Sequence, residues 1–308
     1  MTQVCPVCSA DNTEIQAKYR ASSQYFANIN RSQCPSCRLT YASPMPSDQN
    51  LKNYNSGYYE SAHGGHAAHK TARAYFSAIA LLRIAHVQSY LSKRKVKVSS
   101  ILELGPGTGY FARHWLESEQ VPAYYAVETD SSCHASLKAL GVQLREVSDE
   151  TVDAQQYDLV VMSHVLEHVP NPREFLTHTT RNLRKGGALF IEVPCRDFEH
   201  KNQDEPHLLF FDKQPMNVLL NKLGFTQIEV SYHGQLISDL KSAKPLSKQW
   251  QKVRGKLIRL GMVSPFSQMQ AGMELILDPY ARAVIAPFHA HRESQSPAWW
   301  LRAVATKK

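Results

Sequence analysis

The stretch ILELGPGTGYFA, residues 101–112, decides how this chain folds. Ile101, Leu102 and Leu104 around Glu103 read as a short buried strand, and the residues after Gly109 read as the start of a helix. A strand that ends in glycines and opens a helix turns its backbone sharply. It also lets a ligand approach the main chain closely, because glycine has no Cβ in the way. The spacing separates this loop from other glycine loops. A dinucleotide loop asks for G-x-G-x-x-G, but Tyr110 stands where the last glycine belongs. A phosphate loop ends in Gly-Lys-Ser/Thr, and no Lys follows Gly109. The pattern is E-x-G-x-G-x-G, with an acid two residues ahead of Gly105.

Outward from this loop the chain alternates. AYYAVET (123–129), VQLREV (142–147), YDLVVMSH (157–164), ALFIEVP (188–194) and FTQIEVSYH (225–233) read as strands. Ser131–Leu140, Asn171–Leu183 and Lys213–Leu223 read as the helices between them. WWLRAVAT (299–306) reads as a last strand. Strands alternating with helices imply an α/β protein with a mostly parallel sheet covered on both faces. Another helix is expected over His66–Leu91.

In this order of motifs the chain resembles the class I S-adenosylmethionine-dependent methyltransferases, over about residues 95–235 and the last strand. The resemblance implies a Rossmann-like seven-stranded sheet: six parallel strands with an antiparallel seventh inserted near the edge. It also implies the cofactor contacts. Glu103, Gly105, Pro106, Gly107 and Gly109 match the first motif. Glu128, followed by Thr129, matches the acid that holds the ribose hydroxyls, a role suited to a carboxylate because it accepts two hydrogen bonds from a diol. Ser148 falls where the family contacts the adenine edge, and Ser163 and His164 fall near the methionine moiety. Tyr59 is expected to close over the cofactor.

Ahead of this region stand Cys5-Pro-Val-Cys8 and Cys34-Pro-Ser-Cys37. Two C-x-x-C pairs let four thiolates reach one ion from two tight turns, which points to a closed tetrahedral zinc site. A segment of about 40 residues has little core of its own, and a structural metal supplies the missing stability. Redox chemistry is the weaker alternative, because redox C-x-x-C motifs are usually single. Cys133 and Cys195 read as packed thiols. The expected units are a zinc ribbon over 1–43, a helical linker or cofactor lid over 44–98, the methyltransferase core over 99–235, and a basic cap with the last strand over 236–308. A zinc ribbon ahead of this fold resembles a bacterial subgroup that modifies sugars, polysaccharides and secondary metabolites.

Methyl transfer displaces a sulfonium in line, so the protein must orient the acceptor and in some cases remove its proton. His207 ranks first as that base and His168 second, since both follow strands at the carboxyl edge where ligands bind in such sheets. His63, His66 and His69 form a third histidine group near a helix start.

The charge is uneven. The 308 residues carry 35 Lys and Arg against 27 Asp and Glu, a net of +8. Residues 236–308 hold 12 of the basic residues and 4 of the acidic ones, which leaves the remainder neutral. Residues 241–259 hold seven cations and no acid, with Leu246, Trp250, Val253, Leu257 and Leu260 at helical spacing. This stripe reads either as a lid or dimer helix with a solvated cationic face or as a cap that faces an anion, such as a nucleotide diphosphate, an anionic glycan, RNA or a membrane surface. A composition 43% hydrophobic and 20% charged excludes a disordered chain. No apolar run long enough to span a membrane and no signal peptide is read, so a cytoplasmic location is expected. The leading expectation is an enzyme that methylates a small-molecule or glycan acceptor, foremost a sugar or nucleotide sugar. An RNA methyltransferase and a non-catalytic binding module rank behind it.

Overall fold

The computed structural model describes residues 4–11, 13–55, 70–118, 123–146, 157–241 and 293–308, with a few positions between 252 and 260. Strands β1 (Glu14–Lys18), β2 (Asn30–Gln33) and β3 (Thr40–Ser43) form the N-terminal sheet, and helices α1 (Asp48–Asn55) and α2 (Lys70–Arg94) follow. Strands and helices then alternate: β4 (Ser100–Leu104), α3 (Tyr110–Ser118), β5 (Ala123–Val127), α4 (His134–Ala139), β6 (Gln143–Leu144), β7 (Tyr157–Ser163), α5 (Pro172–Thr179) and β8 (Leu183–Pro194). Next come β9 (Leu209–Phe210), α6 (Lys213–Lys222), β10 (Phe225–Leu236), α7 (Ile237–Lys241), β11 (Glu293–Ser294) and β12 (Ala298–Lys307).

The main sheet has the order β11-β10-β12-β8-β7-β4-β5-β6. Strands β4 to β8 are parallel, and β12 lies antiparallel between β8 and β10. This is the expected seven-stranded topology, with the two-residue β11 added at one edge. Every residue of β4 is buried, as in a parallel strand covered on both sides. Alternate residues feed two cores. Leu102, Leu104, Val160, Met162, Leu189 and Ile191 enter one core, shared with Leu176 of α5 and Leu219 of α6. Ile101, Leu159, Val161 and Phe190 enter the other, with Val87 of α2 and Phe111 and Trp115 of α3.

Several elements differ from the sequence reading. The third strand shrinks to Gln143–Leu144. Helix α5 stops at Thr179, because β8 already begins at Leu183, whose register partner is Tyr157. Between Tyr157–Leu183 and the next pair, Leu159–Ala188, the register shifts, and Arg184–Gly187 take up the slack. The N-terminal sheet is not closed by its own residues: β9 supplies its fourth strand, beside β3.

The N-terminal segment also shares the first core, through Val7, Leu39 and Tyr41. Polar contacts lock it onto residues 198–208. Asp204, buried, takes bonds from Arg20 and Arg31, and Tyr19 donates to the His207 carbonyl at 2.9 Å. The N-terminal segment therefore buttresses the loop that carries His207. Among the described residues no helix is long and apolar enough to cross a membrane.

Candidate active site and metal centre

The glycine loop leaves the end of β4 as the sequence predicts. Gly105 donates to the Val127 carbonyl at 2.9 Å and has a φ of +64°. A Cβ there would sit 2.7 Å from Val165, so both backbone angle and space require glycine. Gly109 has a φ of +84°, a Cβ on it would sit 2.8 Å from Leu137, and it starts α3 by accepting from Arg113 at 2.9 Å. Glu128, just past β5, is half-buried. One carboxylate oxygen accepts from the Gly107 N–H at 2.8 Å and the other from the Asp130 N–H at 2.9 Å. The acid and the loop are thus one hydrogen-bonded unit, with Thr129 exposed beside it.

Glu103 has a different place. It is buried on the α2 face, accepts from the Tyr124 hydroxyl at 2.7 Å, and burial pushes it up to about 7. Pro106 closes the loop by accepting from Gly109 at 3.0 Å. Ser148 and Tyr59 lie outside the described residues, as do His63, His66 and His69 and most of the cationic stretch 241–259.

Beyond β7 the chain makes a tight turn. Ser163 ends the strand with its hydroxyl buried and unbonded. His164 follows at a φ of +57°, an unusual backbone angle for a residue with a Cβ. Its Nδ1 lies 3.2 Å from Glu167 and its Nε2 3.5 Å from Glu192. Burial opposes its charged form, but these two carboxylates raise its pKa above the ordinary histidine value. Glu167 and His168 sit in one turn of 3₁₀ helix. The Glu167 carbonyl accepts from the Leu208 N–H at 2.8 Å, which draws His207 alongside. The rings of His168 and His207 meet edge to face, with centroids 4.9 Å apart. His207 is buried, and its Nδ1 lies 2.7 Å from buried Asp197. Burial pushes His168 down to about 4.

Four residues around this turn escape a reading of the sequence: Glu192, Arg83, Arg302 and Asp197. Glu192 of β8 is fully buried between Arg302 of β12, at 2.7 Å, and Arg83 of α2, at 2.5 Å. Burial alone would raise its carboxyl, yet the two guanidinium groups hold it well below the usual range. Asp197 is lowered by His207 and Lys201 against its burial. The one available signal was a Glu inside the apolar run ALFIEVP, since an acid in a buried strand needs a partner.

The four N-terminal cysteines converge. One sulfur from each lies within 4.8 Å of the others, and none is in a disulfide. Cys5 and Cys37 are 3.5 Å apart, and Cys8 and Cys34 are 3.4 Å apart. Zinc–sulfur bonds of about 2.3 Å in a tetrahedron put sulfurs roughly 3.8 Å apart, so the set fits a zinc ion. The two knuckles share one backbone plan. Cys5 and Cys34 accept from Ser9 and Arg38 at 2.9 and 2.8 Å, and both donors have a φ of +66°.

A family model described as a methyltransferase domain matches residues 69–230, more than half of the chain. The chain belongs to this family: it is an S-adenosylmethionine-dependent methyltransferase of the class I fold. It is 24% identical over 148 residues to an uncharacterized protein of Methanocaldococcus jannaschii, covering 45% of this chain and 70% of that one. It is 24% identical over 124 residues to the ubiquinone biosynthesis O-methyltransferase of Coxiella burnetii, covering 38% of this chain and 52% of that enzyme. The chain thus spans about half the length of that enzyme. Among solved structures, the plantazolicin methyltransferase BpumL, in complex with a monoazolic desmethylPZN analog and SAH, aligns at a TM-score of 0.50 and 14% identity, over 84% of this chain and 98% of that one. That likeness extends to the fold.

Proposed function

We propose that the chain methylates the oxygen or carbon of a hydroxylated small molecule or glycan, foremost a sugar or nucleotide sugar. The observation that supports this reading is the polar character of the side of the sheet next to the glycine loop. His164, Glu167, His168 and His207 gather there, close to the buried Glu192, where an acceptor for a purely apolar ring would need apolar walls. Bound S-adenosylmethionine supplies a methyl group activated on a sulfonium. Gly105, Pro106, Gly107, Gly109, Glu128 and Thr129 are assigned to hold it, with Ser148, Ser163, His164 and Tyr59 completing the contacts. Glu103 is assigned to set the loop from below, through Tyr124.

His207 is the first candidate to make the acceptor nucleophilic, and His168 the second. Asp197 takes the Nδ1 hydrogen of His207, which leaves the Nε2 lone pair for the acceptor side. The acceptor loses a proton, its electron pair forms the new bond to the methyl carbon, and the carbon–sulfur pair leaves with the sulfur. Zinc on Cys5, Cys8, Cys34 and Cys37 is assigned a structural role: it stiffens the N-terminal sheet that braces the His207 loop. Residues 1–43, 44–98, 99–235 and 236–308 are the proposed units.

The test is transfer of a labelled methyl group into an extract fractionated into RNA, protein, glycan and small molecules. Label in the glycan or small-molecule fraction is expected, at a rate lowered in His207→Gln. Label in RNA alone would replace this acceptor class with the nucleic-acid reading.

A further inference from the structure

The cluster Glu167, His168 and His207 has the donor set and the outer contacts of a metal centre separate from the four cysteines. One ligand atom from each of the three lies within 4.8 Å of the others. Each residue is prepared for that role by a different feature. Glu167 is 1% exposed, and neither of its carboxylate oxygens receives a well-aligned hydrogen bond, although His164 stands 3.2 Å away. A buried carboxylate left this way is costly unless something takes its charge. His207 turns Nδ1 to Asp197 at 2.7 Å, and His168 turns Nδ1 to the Pro206 carbonyl at 3.4 Å. Both rings therefore keep Nε2 free, and Nε2 of His168 lies 3.9 Å from Glu167. A carboxylate or carbonyl on the far nitrogen is how proteins fix a histidine that binds a metal.

We propose that Glu167, His168 and His207 bind one divalent transition-metal ion of the manganese-to-zinc series. Two imidazoles and one carboxylate suit such ions and leave coordination positions open, unlike the closed four-sulfur site. The ion's chemical role rests on the methyltransferase reading given above and deepens it. An ion with open positions holds an acceptor oxygen directly and favours loss of its hydroxyl proton. His207 would then give its lone pair to the ion in place of its role as base, and the acceptor's proton would leave to solvent water. The acceptor class narrows to hydroxyl groups, and the methyl transfer keeps the same balance of bonds.

The experiment uses the full chain with zinc on its cysteines, freed of weaker ions by EDTA and titrated with manganese(II) by calorimetry and electron paramagnetic resonance. One further ion per chain is expected. Its affinity should fall at least tenfold in Glu167→Gln and in His168→Ala, which is partly exposed and leaves the Asp197–His207 pair intact. Asp197→Asn, which loosens the ring of His207 without removing a ligand, should lower affinity by roughly 10–100-fold. Circular dichroism and S-adenosylmethionine binding, measured on each variant, show that the fold is retained. A wild-type chain that takes up no manganese, or takes up an ion whose affinity these three variants leave unchanged, overturns the proposal. Cofactor binding in that same sample would leave the methyltransferase reading standing. Manganese uptake without cofactor binding would do the reverse.

Discussion

The two halves of the site are made differently. The half proposed for the cofactor is compact in sequence: Gly105 to Gly109 and Glu128 to Asp130, joined by bonds to backbone N–H groups. The half proposed for the acceptor draws on Arg83, Glu167, His168, Glu192, Asp197, His207 and Arg302, joined by side chains. The first half is proposed to recognise with its main chain, and main-chain recognition dictates residue type, because only glycine fits at Gly105. The second half is proposed to recognise with ionisable groups, which many arrangements can supply. A family's common chemistry belongs in the first kind of site and its particular acceptor in the second.

The sharpest way to break this division is His207→Gln. If the acceptor half alone handles the acceptor, turnover falls by about 10²–10⁴-fold while S-adenosylmethionine affinity stays as it was. Steady-state kinetics with calorimetry on the same sample checks both. A parallel loss of cofactor affinity would show that the halves are coupled. Glu192→Gln comes next. It leaves Arg302, almost wholly buried, and Arg83 without their shared counter-charge. Removing one partner of such a pair costs about 3–5 kcal/mol, read as a shift in the denaturant midpoint. A loss below about 1 kcal/mol would mean that water reaches the two guanidinium groups.

The division also explains what could be read without a structure. The glycine loop, the strand order and the cysteine pairs are local patterns whose spacing carries the geometry. Arg83 and Arg302 lie 109 and 110 positions from Glu192, and no local spacing brings them together. His207 stands out in the sequence as a candidate from its place after a strand, but Asp197, ten residues earlier, does not, because the link forms only when the loop folds back. The same limit hid β9: two residues from the core complete the N-terminal sheet by pairing with β3. Glu103 shows a subtler limit: the motif marks it as a cofactor residue, and only the alternation of β4 adds that it is buried against Tyr124.

Glu103 gives a prediction by pH. Burial lifts its pKa from 4.5 to about 7, opposed by Tyr124 and Arg83. An acid with a raised folded-state pKa holds its proton more tightly in the fold than in the unfolded chain. Its contribution is therefore fully present below about 4.5 and is lost as the pH rises through about 7. Glu103→Gln stays neutral and can still accept from Tyr124, so it escapes that loss. Its stability relative to wild type should grow by roughly 2–3 kcal/mol from pH 4.5 to 7.5. Unfolding curves across that range test this; a constant difference would mean that Glu103 is charged throughout.

Glu128 separates the halves most finely, with the smallest expected effect. Glu128→Ala should weaken S-adenosylmethionine binding by about 10–100-fold, the loss of one or two charge-assisted bonds. The informative variant is Glu128→Gln. Its amide has one oxygen, while Gly107 and Asp130 each offer an N–H to a different carboxylate oxygen. Whichever way the amide turns, an NH₂ faces a backbone N–H, and the loop must open at that point. Glutamine should therefore bind the cofactor no better than alanine does, although it is nearly the same shape as glutamate. Calorimetry on the three chains checks this. If glutamine kept wild-type affinity, the loop would be holding its own shape, and Glu128 would matter to the ligand alone.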